Sequence, residues 1–164
     1  MNRRALVIAT SLLALLILLT ASVVTYSKRA ETYPFRCSTF TRYDLSRKDD
    51  ARREFAVTQD LRFINADSGY LLLNGQVTDG EKVTTLDRKI NLIGGGKIDS
   101  DTYRYRIDKI VPSTTDNTPD SLFNLLLAEL TLDPSYLQLD VTKVDHNAYL
   151  VGGPLSYLFT CQRY

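Results

Sequence analysis

From Ala5 to Val24 the chain carries no charge, and Leu, Ile, Val and Ala fill most of the 20 positions. At about 1.5 Å of rise per residue such a run spans roughly 30 Å as a helix, the thickness of a bilayer core. A buried core helix of this length would show a polar face, and this one offers only Thr and Ser. The run therefore predicts a transmembrane helix. Arg3 and Arg4 before it favour a cytoplasmic N-terminus, although Lys28 and Arg29 beyond it weaken the asymmetry. A cleavable signal peptide is the rival, because Thr20-Ala21-Ser22 supplies small residues near a cleavage point. Either way the remainder leaves the cytoplasm. The expected division is a cytoplasmic stub and signal anchor over 1–25, a juxtamembrane tether over 26–32 and a periplasmic domain over 33–164, in a single-pass protein of the bacterial inner membrane.

Export decides how the two cysteines are read. Cys37 and Cys161 bracket nearly the whole exported part, and in an oxidising compartment they are expected to pair. A loop of that length would stabilise by about 4–5 kcal/mol in the chain-entropy account. The alternative is two buried thiols. A metal site would need more ligands than two distant Cys and one His, His146, supply. Each Cys lies in an alternating run, so the bond would tie the first strand to the last, which suits a closed or nearly closed sheet.

Between the cysteines the hydrophobic period is two. Residues 33–43, 54–64, 69–78, 82–93, 102–111, 136–144, 148–151 and 155–162 alternate or are rich in β-branched and aromatic residues. Asn65 to Gly69, Asp79-Gly80, Gly94-Gly95-Gly96 and His146-Asn147 are expected to turn the chain between them. The cluster at 44–53 reads as a solvated loop or short helix. One segment departs from the pattern: after Thr118-Pro119, Leu122, Leu125, Leu126 and Glu129 recur at helical spacing. Leu122, Phe123, Leu126 and Leu130 are too apolar for a free helix, so it is expected to pack on the sheet as a lid or to face a partner. The fold class is thus mainly β: a transmembrane helix, then a small antiparallel β-barrel or strongly curved sheet of about eight strands with one short packing helix.

The charges exclude one class of partner. With 20 basic and 19 acidic residues scattered along the chain, no basic field for nucleic acid is expected. His146 sits in a turn without a nucleophile beside it, Gly94-Gly95-Gly96-Lys97 lacks the spacing of a phosphate loop, and the acidic pairs Asp49/Asp50 and Asp99/Asp101 lack that of a calcium loop. No nucleophile elbow or zinc-helix motif occurs. A non-enzymatic protein without cofactor or metal is expected. The 10 tyrosines, with no tryptophan, suit core filling with a hydrogen-bonded tip. A small barrel could also hold one amphipathic ligand.

Several landmarks in order carry a resemblance: the apolar segment, Pro34-Phe35-Arg36-Cys37, Gly69 to Val77, Asp87-Arg88-Lys89-Ile90, Asp116 to Phe123, and the closing 154–161 stretch. Together they resemble the FidL-like membrane proteins of enteric bacteria. Ser156-Tyr157-Leu158 departs from that pattern as an insertion in the last strand. The resemblance implies no defined enzymatic activity. It implies an accessory protein beside membrane-anchored winged-helix transcription regulators of the ToxR type, binding and stabilising or modulating the regulator's periplasmic domain. The alternative is a binding barrel for a bile salt or lipid.

Overall fold

The computed structural model describes residues 3–30, 33–47, 52–154 and 156–164, and the chain divides into two compact units, 1–33 and 34–164. The first unit is helix α1 (Arg3–Ala30). It runs on through most of the stretch expected to be a polar tether. Its described side chains, Thr10 to Val24, are exposed. Among the described residues no helix is long and apolar enough to cross a membrane, which departs from the expected span between Ala5 and Val24.

The second unit is a closed antiparallel barrel. Among the described residues its strands are β1 (Phe35–Asp44), β2 (Arg53–Phe63), β3 (Ser68–Asp79), β4 (Lys82–Lys97), β5 (Thr102–Pro112), β6 (Tyr136–Lys143), β7 (Ala148–Gly152) and β8 (Tyr157–Arg163), with helix α2 (Asp120–Leu130) between β5 and β6. Each strand pairs with the next, and β8 returns to β1. Alternation produces this directly. Phe55, Val57, Leu61 and Phe63 of β2, Leu71, Leu73 and Val77 of β3, and Leu137, Leu139 and Val141 of β6 all point inward and are buried. At the end where the chain enters β1, the interior is plugged by rings: Phe63 stacks on Phe35, Tyr103 and Tyr105 at centroid distances of 5.8, 4.7 and 5.0 Å, and Tyr149 meets Phe35 edge-on.

Cys37 and Cys161 form the expected disulfide, with Cα atoms 5.5 Å apart. Its position matters more than its presence. Strands β1 and β8 pair only at Cys37 with Arg163 and at Ser38 with Gln162, whereas β2 and β3 pair along eleven positions from Arg53 to Phe63. The covalent bond therefore holds the shortest seam of the barrel.

Two turn expectations need different outcomes. Asp79 pairs with Lys82 across a two-residue loop in which Gly80 has φ 62°, the left-handed conformation that a tight hairpin requires at its first central position. Gly94-Gly95-Gly96, expected to be a turn, lies instead inside β4. It forms a bulge there, with a register shift between Ile93 and Gly96, and the turn falls at 98–101. The bulge explains the glycines. A Cβ on Gly95 would stand 2.0 Å from the Arg104 carbonyl oxygen, so only glycine lets β4 and β5 close there. The insertion at Ser156-Tyr157-Leu158 is absorbed likewise. Val151 pairs with Phe159 but Gly152 with Tyr157, leaving Leu158 as the extra residue of a bulge. Of the 44–53 cluster, residues 48–51, including Asp49 and Asp50, lie outside the described residues, as does Leu155.

Candidate functional site at the helix-capped end of the barrel

The strands are of unequal length, and this shapes the far end. β1 to β5 form a tall wall, while β6, β7 and β8 are short. Only Thr102–Arg106 of β5 pairs with β6. Ile107 still donates its N–H to the Ser135 carbonyl, but beyond it β5 pairs with β4 alone among the described residues. Beyond Ser38, β1 pairs likewise with β2 alone. Two strand edges are thereby left with one neighbour each, and α2 lies at the end of the barrel between them.

An arginine fixes the helix. Arg88 of β4 points inward in the row of Leu86, Ile90 and Leu92, and is 5 % exposed. Its Nε and Nη2 donate to the two carboxylate oxygens of Asp116 at 3.1 Å each, and Nη1 donates to Asp120 at 2.7 Å. Nη2 also donates to the Thr118 carbonyl, and the guanidinium lies 4.5 Å from the Phe123 ring centroid. This is a planar fork with nearly all its donors used, as a buried guanidinium requires. Burial opposes the charge, but the two carboxylates outweigh it and hold the guanidinium more firmly protonated than usual.

Around that clasp the 113–119 segment is sewn to β4. Asn117 Oδ1 accepts from the Thr85 N–H, Asp116 from the Asp87 N–H, and the Thr118 hydroxyl donates to the Thr85 carbonyl. Thr118 therefore does not cap α2. Pro119 stands at the N-cap with φ −58° and ψ 142°, and its carbonyl accepts from Leu122 and Phe123. Leu122, Phe123, Leu126 and Leu130, expected to form a lid or a partner-facing surface, are all buried. They are spent on the domain's own core, so any partner-facing part of the helix must be its other side.

A second polar group lies inside the barrel. Gln59 of β2 is 1 % exposed, and its Nε2 donates to the Tyr43 hydroxyl at 2.7 Å. Its Oε1 has no hydrogen-bond partner among the described residues. Exchanging the amide's O and N would only move the orphan from acceptor to donor. Burial raises the Tyr43 phenol above its ordinary value, against the hydrogen bonds with Gln59 and Thr41, and the Glu129 carboxylate of α2 adds to the rise. Near the helix are two open pockets. One of about 350 Å³ is lined by Leu127, Ala128, Thr131, Leu132 and Pro134, and one of about 300 Å³ by Arg88, Ile110, Pro112, Asp120 and Phe123.

Little here resembles reaction chemistry. His146 is in an exposed loop with Nδ1 2.9 Å from Asn147 Oδ1, and Asp99 and Asp101 are in another. Among the described residues no group of three or more His, Cys, Asp or Glu is placed to hold a metal. The tyrosines divide in two. Tyr103, Tyr105 and Tyr149 fill the core, whereas Tyr70 and Tyr136 lie under cations on the outer wall, Lys89 and Arg104 each 4.4 Å from the ring centroid.

Sequence reasoning gave Arg88 no role of its own, although period two placed it on the apolar face of its strand. Its partners reveal what the landmark segments have in common: 87–90 and 116–123, far apart in the chain, are the two halves of one clasp. The family described as "FidL-like putative membrane protein" matches over residues 75–161, which takes in β4, β5, the clasp, α2 and Cys161. The chain belongs to the FidL-like family. No curated protein and no solved structure matches the chain. Within this FidL-like chain the matched stretch begins at Gly75, so β1, β2 and Cys37 lie outside it.

Proposed function

We propose that this FidL-like chain is a non-enzymatic accessory protein of the inner membrane, held there by the apolar run of α1, whose barrel docks the periplasmic domain of a membrane-anchored winged-helix regulator of the ToxR type. The observation that carries this reading is the pair of open edges beside α2. Residues 39–44 of β1 and 108–112 of β5 have a strand on one side only among the described residues. Such edges leave alternate N–H and C=O groups unpaired and accept an extended segment by strand addition. Phe40, 62 % exposed, and Val111, 41 % exposed, stand on these edges. The disulfide supports an oxidising compartment outside the cytoplasm.

The test is site-specific photo-crosslinking in cells. A photoreactive residue at Phe40 or Val111 is expected to capture the regulator, and one at Asn74, exposed on the outer face of β3 with strands on both sides, is not. Deleting the chain should then lower the regulator's abundance. Equal capture from all three positions, or unchanged regulator abundance and signalling, defeats the proposal.

The orphaned Gln59 oxygen favours a second reading, a small amphipathic ligand that donates a hydrogen bond inside the barrel. A bile salt, whose hydroxyls can donate, would then raise the thermal midpoint of the wild-type chain, and this rise would be lost in Gln59→Leu.

A further inference from the structure

Three loops at one end of the barrel are built alike. In an up-and-down barrel every second hairpin falls at the same end, so the β2–β3, β4–β5 and β6–β7 turns share the end where the chain enters β1 and leaves β8. Each is a four-residue loop, 64–67, 98–101 and 144–147. In each, the first two residues donate their N–H groups to one carbonyl: Ile64 and Asn65 to Ser68 at 2.9 and 3.2 Å, Ile98 and Asp99 to Thr102 at 2.8 and 3.4 Å, Val144 and Asp145 to Ala148 at 3.0 and 3.2 Å. In each, an Asn or Asp at the second position accepts a backbone N–H within the loop.

The turn geometry accounts for the Asn and Asp, whose side chains close such turns. It does not account for the first residue. That position contributes only its backbone N–H, which any non-proline residue has, yet all three loops hold a β-branched aliphatic there, exposed at 50 % for Ile64, 59 % for Ile98 and 56 % for Val144. Single exposed apolar residues such as Phe40, Val83, Val111 and Leu132 are ordinary. Three in one register at one end are different.

We infer that these three tips dock the barrel on the surface of the bilayer, Ile64, Ile98 and Val144 inserting among the lipid headgroups. This rests on the membrane anchoring proposed above. The chain itself limits the distance: of the eleven residues from Val24 to the start of β1, six continue α1 and rise about 9 Å, and the other five reach at most about 18 Å when fully extended. Lys97 and Lys143 immediately precede two of the tips, and Tyr164, 60 % exposed, ends the chain after Arg163 of β8. Such residues suit the headgroup layer, where a cation or phenol keeps to the wet side of an apolar stem. Asp67, Asp99, Asp101 and Asp145 in the same loops offset those cations. The surface is therefore expected to engage zwitterionic lipid by apolar insertion, with little dependence on salt.

Because the chain has no tryptophan, single reporters can be placed without background. Ile64→Trp, Ile98→Trp and Val144→Trp, with Tyr157→Trp at the opposite end, are made in the full chain and reconstituted into phosphatidylcholine vesicles. Non-reducing electrophoresis verifies the disulfide in each. Flotation reports anchoring, and quenching by phosphatidylcholine brominated near the top of its acyl chains reports docking. The three tip variants are expected to lose about half or more of their emission, at low and at high salt, while the residue 157 reporter is unchanged. Flotation with tips no more quenched than position 157 overturns docking and leaves anchoring standing. Blue-shifted but unquenched tips overturn it in favour of a protein covering this end. Failure to float removes the anchoring reading, and docking with it.

Discussion

Replacing Arg88 by Ala removes the counter-ion of Asp116, whose side chain is only 3 % exposed. That carboxylate keeps two backbone donors, the N–H groups of Asp87 and Thr118, but loses both guanidinium bonds and cannot rehydrate. The Thr118 carbonyl and the Phe123 face lose their partner as well. Breaking a buried pair from one side costs about 3–5 kcal/mol. Asp120, 86 % exposed, returns to water and adds little. At about 4 °C per kcal/mol for a unit of this size, the thermal midpoint should fall by roughly 12–20 °C. The assay is thermal and urea unfolding of the oxidised full chain in detergent, followed by tyrosine near-ultraviolet circular dichroism, on Arg88→Ala, Asp116→Asn and the double variant. A coupling of about 1.5 kcal/mol or more is expected, because the second change removes a charge that the first has stranded. If Arg88→Ala costs less than about 1 kcal/mol, or the double variant loses the sum of the singles, the clasp does not hold α2.

Cys37→Ser, Cys161→Ser and the double change should each lower stability by the same amount, up to about 4–5 kcal/mol, and additive losses in urea titrations would mean that the sulfurs act separately. Gly95→Ala forces a methyl group against the Arg104 carbonyl, so about 1–3 kcal/mol should be lost in thermal melts. A midpoint within error of wild type would show that the two strands can part there. Asp60 is held below the usual carboxylate range: burial opposes this, but the hydrogen bonds from Arg62 and Tyr164 prevail. A carboxyl group with a depressed folded value contributes stability above its unfolded pKa of about 3.9 and loses it as pH falls through the folded value. Asp60→Asn should therefore destabilise at neutral pH and flatten the stability profile below about pH 4. An acid limb parallel to that of wild type would count against the Arg62–Asp60–Tyr164 cluster.

Local order was legible in the sequence because its signal is local. A period of two in 102–111 places Tyr103 and Tyr105 inside and Arg104 and Arg106 outside wherever the strand finds its neighbours. Helical spacing after Pro119 and two cysteines near the ends of the β-rich part needed no partner to be read. The glycines of 94–96 misled for the same reason, since a bulge and a turn ask for the same residue and differ only in what lies across from it.

The amino-acid order by itself thus determined eight strands, one packing helix, the disulfide and an apolar N-terminal run. Tertiary structure alone decided that β1 and β8 meet over two pairs of residues, that Gln59 keeps an unanswered oxygen, and that an arginine on an apolar face is clasped by aspartates 28 and 32 residues away. A buried charge is tolerated only where distant chain brings its counter-charge. Periodicity reports which way a side chain points and carries no information about what will be waiting there.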